Sequence, residues 1–466
     1  LHAVVQSQAS NVAVAGREAM AKPAAGTSPP SGTVSAETLG KVLRRILPFL
    51  FLCYVVNYLD RVNVGLAALA MNKDLNLTPS QFGWGAGLFF IGYFLFQIPS
   101  NLMLQAVGAR RWIAVILVTW GIISTATAFV TGPISFGTAR FLLGIAEGGF
   151  VPGVFLYLTQ WFPGDWRAKA TAAFLVGIPV ASIVGSPISG GLLSFPEIGG
   201  FRSWQWLLIL EGLPAILLSL ACLFVLVDRP EQAPWLDPEE KRRLTHRLDT
   251  ERRQIEQLHR FTLAETLSNG RVITLAAINF CSIIGGFGVQ LWLPQIIKGF
   301  GLSNVQVGWI NAIPYVFGAV AMVLWARSSD RATDRTWHVA STTLLAAVGL
   351  AIASCVGSAT LSLMALTLTI IGTLSFQATF WAVPATFLTG RAAAAGIAFI
   401  VAVGNLGGFA GPYLIGRVKE TTDSYTIALL VLAGFLACST IMMLVLGNPA
   451  RQAGTAVRFE QEKGRT

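Results

Sequence analysis

Apolar runs of roughly twenty residues, each long enough to cross ~30 Å of hydrocarbon as a helix, recur along this chain and leave few folds open to it. They fall near 46–70, 80–104, 110–130, 134–161, 168–194, 204–227, 270–297, 304–326, 337–357, 360–388, 392–416 and 424–447, numbered here as spans 1 to 12. Their apolarity is continuous rather than alternating with period two, which argues against a β-barrel. Charge is correspondingly scarce: 12% of the residues are Asp, Glu, Lys or Arg, against about a quarter in soluble domains. The expected fold is all-α and integral to the membrane, with about twelve transmembrane helices.

The net charge of +10 invites a nucleic-acid partner, but the basic residues lie in the connections between spans, where they set membrane orientation. No nucleic-acid partner is expected; the partner is the lipid bilayer. With the amino terminus in the cytoplasm, only Lys73, Arg202, Lys298, Arg417 and Lys419 of the connecting basic residues fall on the opposite side. Both termini therefore read as cytoplasmic, and a bacterial inner membrane is expected. Residues 1–40 are rich in Ala, Ser, Gly and Pro and read as a disordered tail. They lack the basic-then-apolar pattern of a signal peptide, so span 1 is expected to serve as the uncleaved insertion signal.

The longest interruption, 228–269, divides the spans six and six, giving an amino-terminal bundle at 41–227, a carboxyl-terminal bundle at 270–447 and a tail at 448–466. It opens on Asp228-Arg229-Pro230, a helix stop. Asp237 is placed to cap a helix starting at Pro238, with Glu239 and Glu240 in its first turn. This segment reads as a solvated surface helix linking the bundles. The five cysteines, Cys53, Cys222, Cys281, Cys355 and Cys438, stand singly inside spans and read as small buried residues. No metal-ligand or disulfide spacing occurs, and neither a metal nor any other cofactor is expected.

The two halves echo each other. Gly83-Trp84 near the start of span 2 matches Gly308-Trp309 near the start of span 8, and Gly185-Ser186-Pro187 in span 5 matches Gly411-Pro412 in span 11. Six-helix halves with recurring Gly and Pro positions point to alternating access around a site near the midplane.

Charges inside spans are costly and ask for a function or a partner. Four stand out: Asp60 and Arg61 in span 1, and Arg140 and Glu147 in span 4. Adjacent helical residues point ~100° apart, so Asp60 and Arg61 need not pair with each other. An arginine fork suits a carboxylate ligand through two parallel hydrogen bonds; the bland alternative is a structural ion pair. Arg140 and Glu147, seven residues apart, share one helix face. Desolvation favours the neutral form of a carboxyl, which makes Glu147 the first candidate for a coupling proton, against permanent pairing with a basic side chain. Arg110 and Arg111 after span 2, and Asp330, Arg331, Asp334 and Arg335 after span 8, occupy corresponding loops. They read either as gate salt bridges or as simple orientation anchors. No hydrolase or zinc-protease motif is present, and an enzyme is not expected.

Taken together, Tyr58 to Gly65, Phe89 to Asn101, Arg140 to Gly153, Trp161-Phe162-Pro163, Trp204 to Pro214 and Asp228-Arg229-Pro230 resemble the major facilitator superfamily. The likeness spans nearly all twelve helices. Its branch resembles the anion:cation symporters, near the tartrate and phthalate permeases. The resemblance implies protonation at Asp60 and Glu147, substrate carboxylate at Arg61 and a link to coupling at Arg140. It further implies that Tyr58, Tyr93 and Asn405 line the cavity, with Trp381 a further candidate. The implied activity is proton-coupled uptake of a small organic anion by a monomer; exchange, export and a non-transporting receptor are the rivals. One departure weakens the gate assignment of Arg110 and Arg111: Gln105 and Ala106 stand where the superfamily motif carries an aspartate and a basic residue.

Overall fold

A computed structural model of the protein describes residues 34–257, 269–332, 334–384 and 390–447. The tail segments 1–33 and 448–466 and the linker stretch 258–268 lie outside the described residues. Among the described residues, eleven helical segments are long and apolar enough to span a membrane. The twelfth span belongs to α1 (Ala36–Asp74), whose hydropathy is lowered by Asn57, Asp60, Arg61 and Asn63 in mid-helix. The helix begins about ten residues before span 1 because Ser35 caps it, its Oγ accepting from Thr38 N–H at 3.1 Å.

The amino-terminal half continues with α2 (Pro79–Val107), α3 (Ala109–Ala126), α4 (Pro133–Glu147), α5 (Phe150–Thr159), α6 (Gly164–Leu175), α7 (Gly177–Leu192) and α8 (Ser203–Val225). Spans 4 and 5 are each broken into two helices. Pro152 lacks the N–H that would bond the Gly148 carbonyl, and Pro179 lacks the one for Leu175, so the chain re-starts after Gly149 and after Val176. After the linker helix α9 (Pro238–Gln257) come α10 (Gly270–Lys298), α11 (Asn304–Arg331), α12 (Thr336–Cys355), α13 (Ala359–Phe380), α14 (Gly390–Thr422) and α15 (Thr426–Leu446). Span 10 thus ends at Phe380, short of the expected 388, with Trp381 at its C-cap.

Packing repeats between the halves. Helix α1 packs on α7 and α8, α2 on α4, and α3 on α8; in the same way α10 packs on α14 and α15, α11 on α13, and α12 on α15. The protein is therefore two six-helix pseudo-symmetric bundles. They meet along α1–α10 and along two equivalent seams, α2–α14 and α7–α11.

The echoed sequence elements are what meet in those seams. A Cβ on Gly83 would lie 2.3 Å from the Pro412 carbonyl oxygen, and one on Gly308 would lie 2.5 Å from that of Ser186. Each seam starts from the same capping box: Thr78 with Gln81 opens α2, and Ser303 with Gln306 opens α11. Polar contacts reinforce both. Glu420 at the end of α14 accepts from Ser80 N–H at 2.9 Å, Thr78 Oγ1 at 3.1 Å and Ser80 Oγ, while Asn311 Nδ2 donates to Ser186 Oγ at 2.8 Å.

Helix α9 starts at Pro238 as expected, but it lies on the amino-terminal half rather than standing free in solvent. Leu244 is fully buried, and Trp235 stacks on Trp161 with ring centroids 5.5 Å apart. Lys41 and Thr38 bond Glu240 at 2.8 and 3.0 Å, and Arg167 bonds Glu251 at 3.0 Å. The Lys41 bond holds the Glu240 carboxyl below its usual range. Of the cysteines, Cys53, Cys222 and Cys281 are buried, whereas Cys355 and Cys438 are exposed, against expectation.

Candidate substrate and proton site

Helix periodicity sorts the polar residues of α1 onto different neighbours. Asn57 and Arg61, one turn apart, reach the same oxygen on α4: Nδ2 of Asn57 and Nε of Arg61 donate to Glu147 Oε2 at 2.8 and 3.0 Å. Glu147 is fully buried and the Arg61 side chain is 10% exposed. A buried pair of this kind is held as much by the cost of leaving either charge alone as by their attraction. Asp60 points elsewhere, toward α3, where Trp120 Nε1 and Ser124 Oγ donate to its carboxyl at 2.6 and 2.8 Å, joined by Asn63 Nδ2 at 3.3 Å. As the angular argument allowed, Asp60 and Arg61 do not pair.

Aromatic rings from α2 carry the two arginines. The Arg61 guanidinium lies 4.8 Å from the Tyr93 ring centroid and 5.2 Å from that of Phe89; Arg140 lies 4.9 Å from Phe89. Such cation–π contacts contribute about 2 kcal/mol or more when desolvated. Glycines let α2 come this close to α4: a Cβ on Gly144 would sit 1.9 Å from the Phe89 carbonyl oxygen. Arg140 makes no ion pair within 4 Å among the described residues, and its Nε has no partner.

Across the interface, Tyr58 donates its hydroxyl to Gln290 Oε1 on α10 at 3.0 Å. The α2–α14 seam runs antiparallel, with Gly83 against Pro412, Gly87 against Phe409 and Gly408 against Phe90. Continuing that register places the half-buried Asn405 level with Tyr93. Trp381 is set apart from these groups; it packs edge-on against Phe380.

The residues named as gates are less connected. Arg335, just before α12, bonds Asp330 in the last turn of α11 at 3.3 Å, Asp334 accepts from Thr336 N–H at 3.0 Å, and Arg331 beside Asp330 is exposed. Arg110 and Arg111 are exposed, and it is the backbone N–H of Arg110 that donates to Asp228 Oδ1 at 2.8 Å. Asp228 thereby caps α3 beside Gly108, whose φ of 96° favours glycine.

Three groups escaped the sequence reading. Gln290 and Tyr315 are uncharged and gave no signal in apolar runs; the Tyr315 side chain is buried on α11 within reach of Ser182. Glu211, in the middle of α8, is a buried acid that a search for in-span charges should have found.

A membrane protein of two helical bundles, with ionised side chains buried inside one of them and a polar contact to the other, has the architecture of an alternating-access transporter. Residues 50–412 match the model described as Major Facilitator Superfamily, and the chain belongs to that family: it is a multi-pass membrane transporter, not an enzyme. A protein of Agrobacterium vitis named "Putative tartrate transporter" is 49% identical over 92% of this chain and 99% of its own. A quinolone resistance transporter of Acinetobacter baumannii is 40% identical over 91% and 98%. Among solved structures, the inward open conformation of the xylose transporter XylE from E. coli superposes with a TM-score of 0.69 at 13% identity, covering 86% of this chain and 96% of that one.

Proposed function

We propose that the protein is a proton-coupled symporter that takes up a small organic carboxylate, such as tartrate, another sugar acid or a phthalate-like acid. The observation that carries this reading is a set of buried N–H donors without a partner among the described residues: Arg61 Nη2 of the ion pair, Arg140 Nε on the same Phe89 ring, Gln290 Nε2 beside Tyr58, and Asn405 Nδ2 level with Tyr93. Buried donors are normally satisfied, and a carboxylate is a ligand that planar arginine and amide donors satisfy together. The tartrate relative supports the substrate class.

In this reading Arg61 holds the carboxylate, with Tyr58, Tyr93, Gln290 and Asn405 around it; Trp381 is left in reserve. Taking Arg61 from Glu147 leaves that acid alone in a buried place, and a proton removes the cost. Substrate and proton therefore load together. Glu147 and Asp60 are the proton sites, and Arg140 is the cation that senses their charge. The glycine seams close the face away from α9, which on the positive-inside pattern is the periplasmic one. The loop pairs at Asp330, Arg331, Asp334, Arg335, Arg110 and Arg111 would gate the cytoplasmic face. The protein would sit in a bacterial inner membrane as a monomer with both termini inside.

The test is uptake of radiolabelled organic acids into proteoliposomes, with and without an inward proton gradient. Accumulation of a carboxylate that depends on the gradient is expected. In Glu147→Gln, stimulation by the gradient should fall about tenfold, the worth of roughly 1.4 kcal/mol of lost coupling; unchanged stimulation would remove Glu147 from the mechanism. The quinolone resistance relative favours export as the second reading, so the panel includes a quinolone, assayed in both directions.

A further inference from the structure

The acid on α8 has the surroundings of a proton carrier. Glu211 is 3% exposed, in a helix whose neighbours are α3, α1 and α7. Its Oε1 accepts from Ser189 Oγ on α7 at 2.6 Å, and among the described residues its Oε2 has no hydrogen-bond partner and no basic side chain lies within 4 Å of it. Asp60 on α1 is in the same condition, held by Trp120, Ser124 and Asn63, all neutral. Asn63 faces both acids, and Glu211 feels the charge of Asp60.

Asp60 is the titratable group that faces Glu211 from α1. Helix α3 presents Trp120, Ser124 and Thr125 there and keeps its arginines at its far end, and α7 contains no titratable residue. A carboxylate in hydrocarbon without a cation is costly, and a second one nearby adds repulsion. One proton relieves both terms.

The position of the bond to Ser189 adds a mechanical link. Ser189 precedes Gly190, and a Cβ on Gly190 would lie 2.8 Å from Gly308 Cα in the α7–α11 seam. The Glu211–Ser189 bond therefore ties α8 to α7 directly behind the closed seam. An ionised Glu211 needs more donors than Ser189 offers, and water can supply them once that seam parts.

We propose that Glu211 is a further proton-binding residue of the transport cycle, exchanging its proton when the α7–α11 seam is open and holding it while the seam is closed. The proposal rests on the proton-coupled reading above, and its test separates the two. Wild type, Glu211→Gln and Glu211→Asp are reconstituted, and L-tartrate is followed both as gradient-driven accumulation and as counterflow at equal pH. The infrared C=O stretch of protonated carboxyls is recorded on the same proteins.

For Glu211→Gln the ratio of accumulation to counterflow should drop about tenfold, with loss of a protonated-carboxyl band. Glu211→Asp should restore both, which excludes simple misfolding. An unchanged ratio, or an intact band, in Glu211→Gln overturns the proposal. A wild-type protein indifferent to the gradient sinks the symport reading instead; the infrared comparison then decides alone whether Glu211 holds a proton.

Discussion

Replacing Arg61 by alanine is expected to stop transport, with uptake into proteoliposomes falling on the order of 10²-fold or more. Three losses coincide at this position. Glu147 keeps only Asn57 as a donor to its bonded oxygen, so a buried charge is left uncompensated, a change that typically costs about 3–5 kcal/mol. The cation over Tyr93 and Phe89 disappears. So does the unpartnered Nη2 that would meet a substrate carboxylate.

Lysine at the same place separates charge from geometry. It retains the positive charge but lacks the planar fork and stacks less well on aromatic rings. Arg61→Lys should therefore transport with a KM raised about tenfold rather than with no activity. Combining Arg61→Ala with Glu147→Gln should recover thermal stability, because both buried charges go, without recovering transport. Arg61→Ala uptake within twofold of wild type, at equal amounts of folded protein, would show that the carboxylate is bound elsewhere.

The second large effect is expected at a residue far from any charge. In Gly308→Val a Cβ is forced to within 2.5 Å of the Ser186 carbonyl oxygen and 2.9 Å of Gly190 Cα. Both obstacles are backbone, so neither can move aside as a side chain would. The α7–α11 seam should fail to close, and net uptake should fall on the order of 10²-fold, since closure at one face is required in every cycle. The protein should still insert and melt cooperatively, because Gly308 lies between the halves rather than inside one. Gly83→Val should do the same at the α2–α14 seam. Normal uptake by either variant would mean that the seams are incidental to the cycle.

Periodicity and hydropathy reveal where the helices lie because a membrane demands long apolar segments whatever the tertiary structure. They miss the breaks at Gly149 and Val176, since hydropathy averages over a window and Pro152 and Pro179 act through single missing hydrogen bonds. Asp60 and Arg61 announced themselves as charges in an apolar run. Nothing in the chain said that Arg61 would meet Glu147, a residue 86 positions away, because partnership is decided by which helices pack. Gln290 and Tyr315 were silent because amides and phenols hardly disturb hydropathy. Glu211 is a different case: one acid in a span of mean hydropathy 2.4 is visible on inspection and vanishes only in the average. The short echoes Gly83-Trp84 and Gly308-Trp309 carried more than their length suggested, since they mark the two seams.

Those seams also constrain how this protein can adapt to heat. Trading a helical glycine for alanine commonly stabilises a chain by about 0.4–1 kcal/mol by narrowing its unfolded ensemble. Gly434, on the exposed side of α15 with nothing within 4 Å of its missing side chain, is open to that change. Gly83, Gly190, Gly308 and Gly416 are not, because backbone occupies the space. A warm-adapted descendant can thus stiffen its lipid-facing surface freely, while the surfaces along which its halves slide stay as bare as they are now.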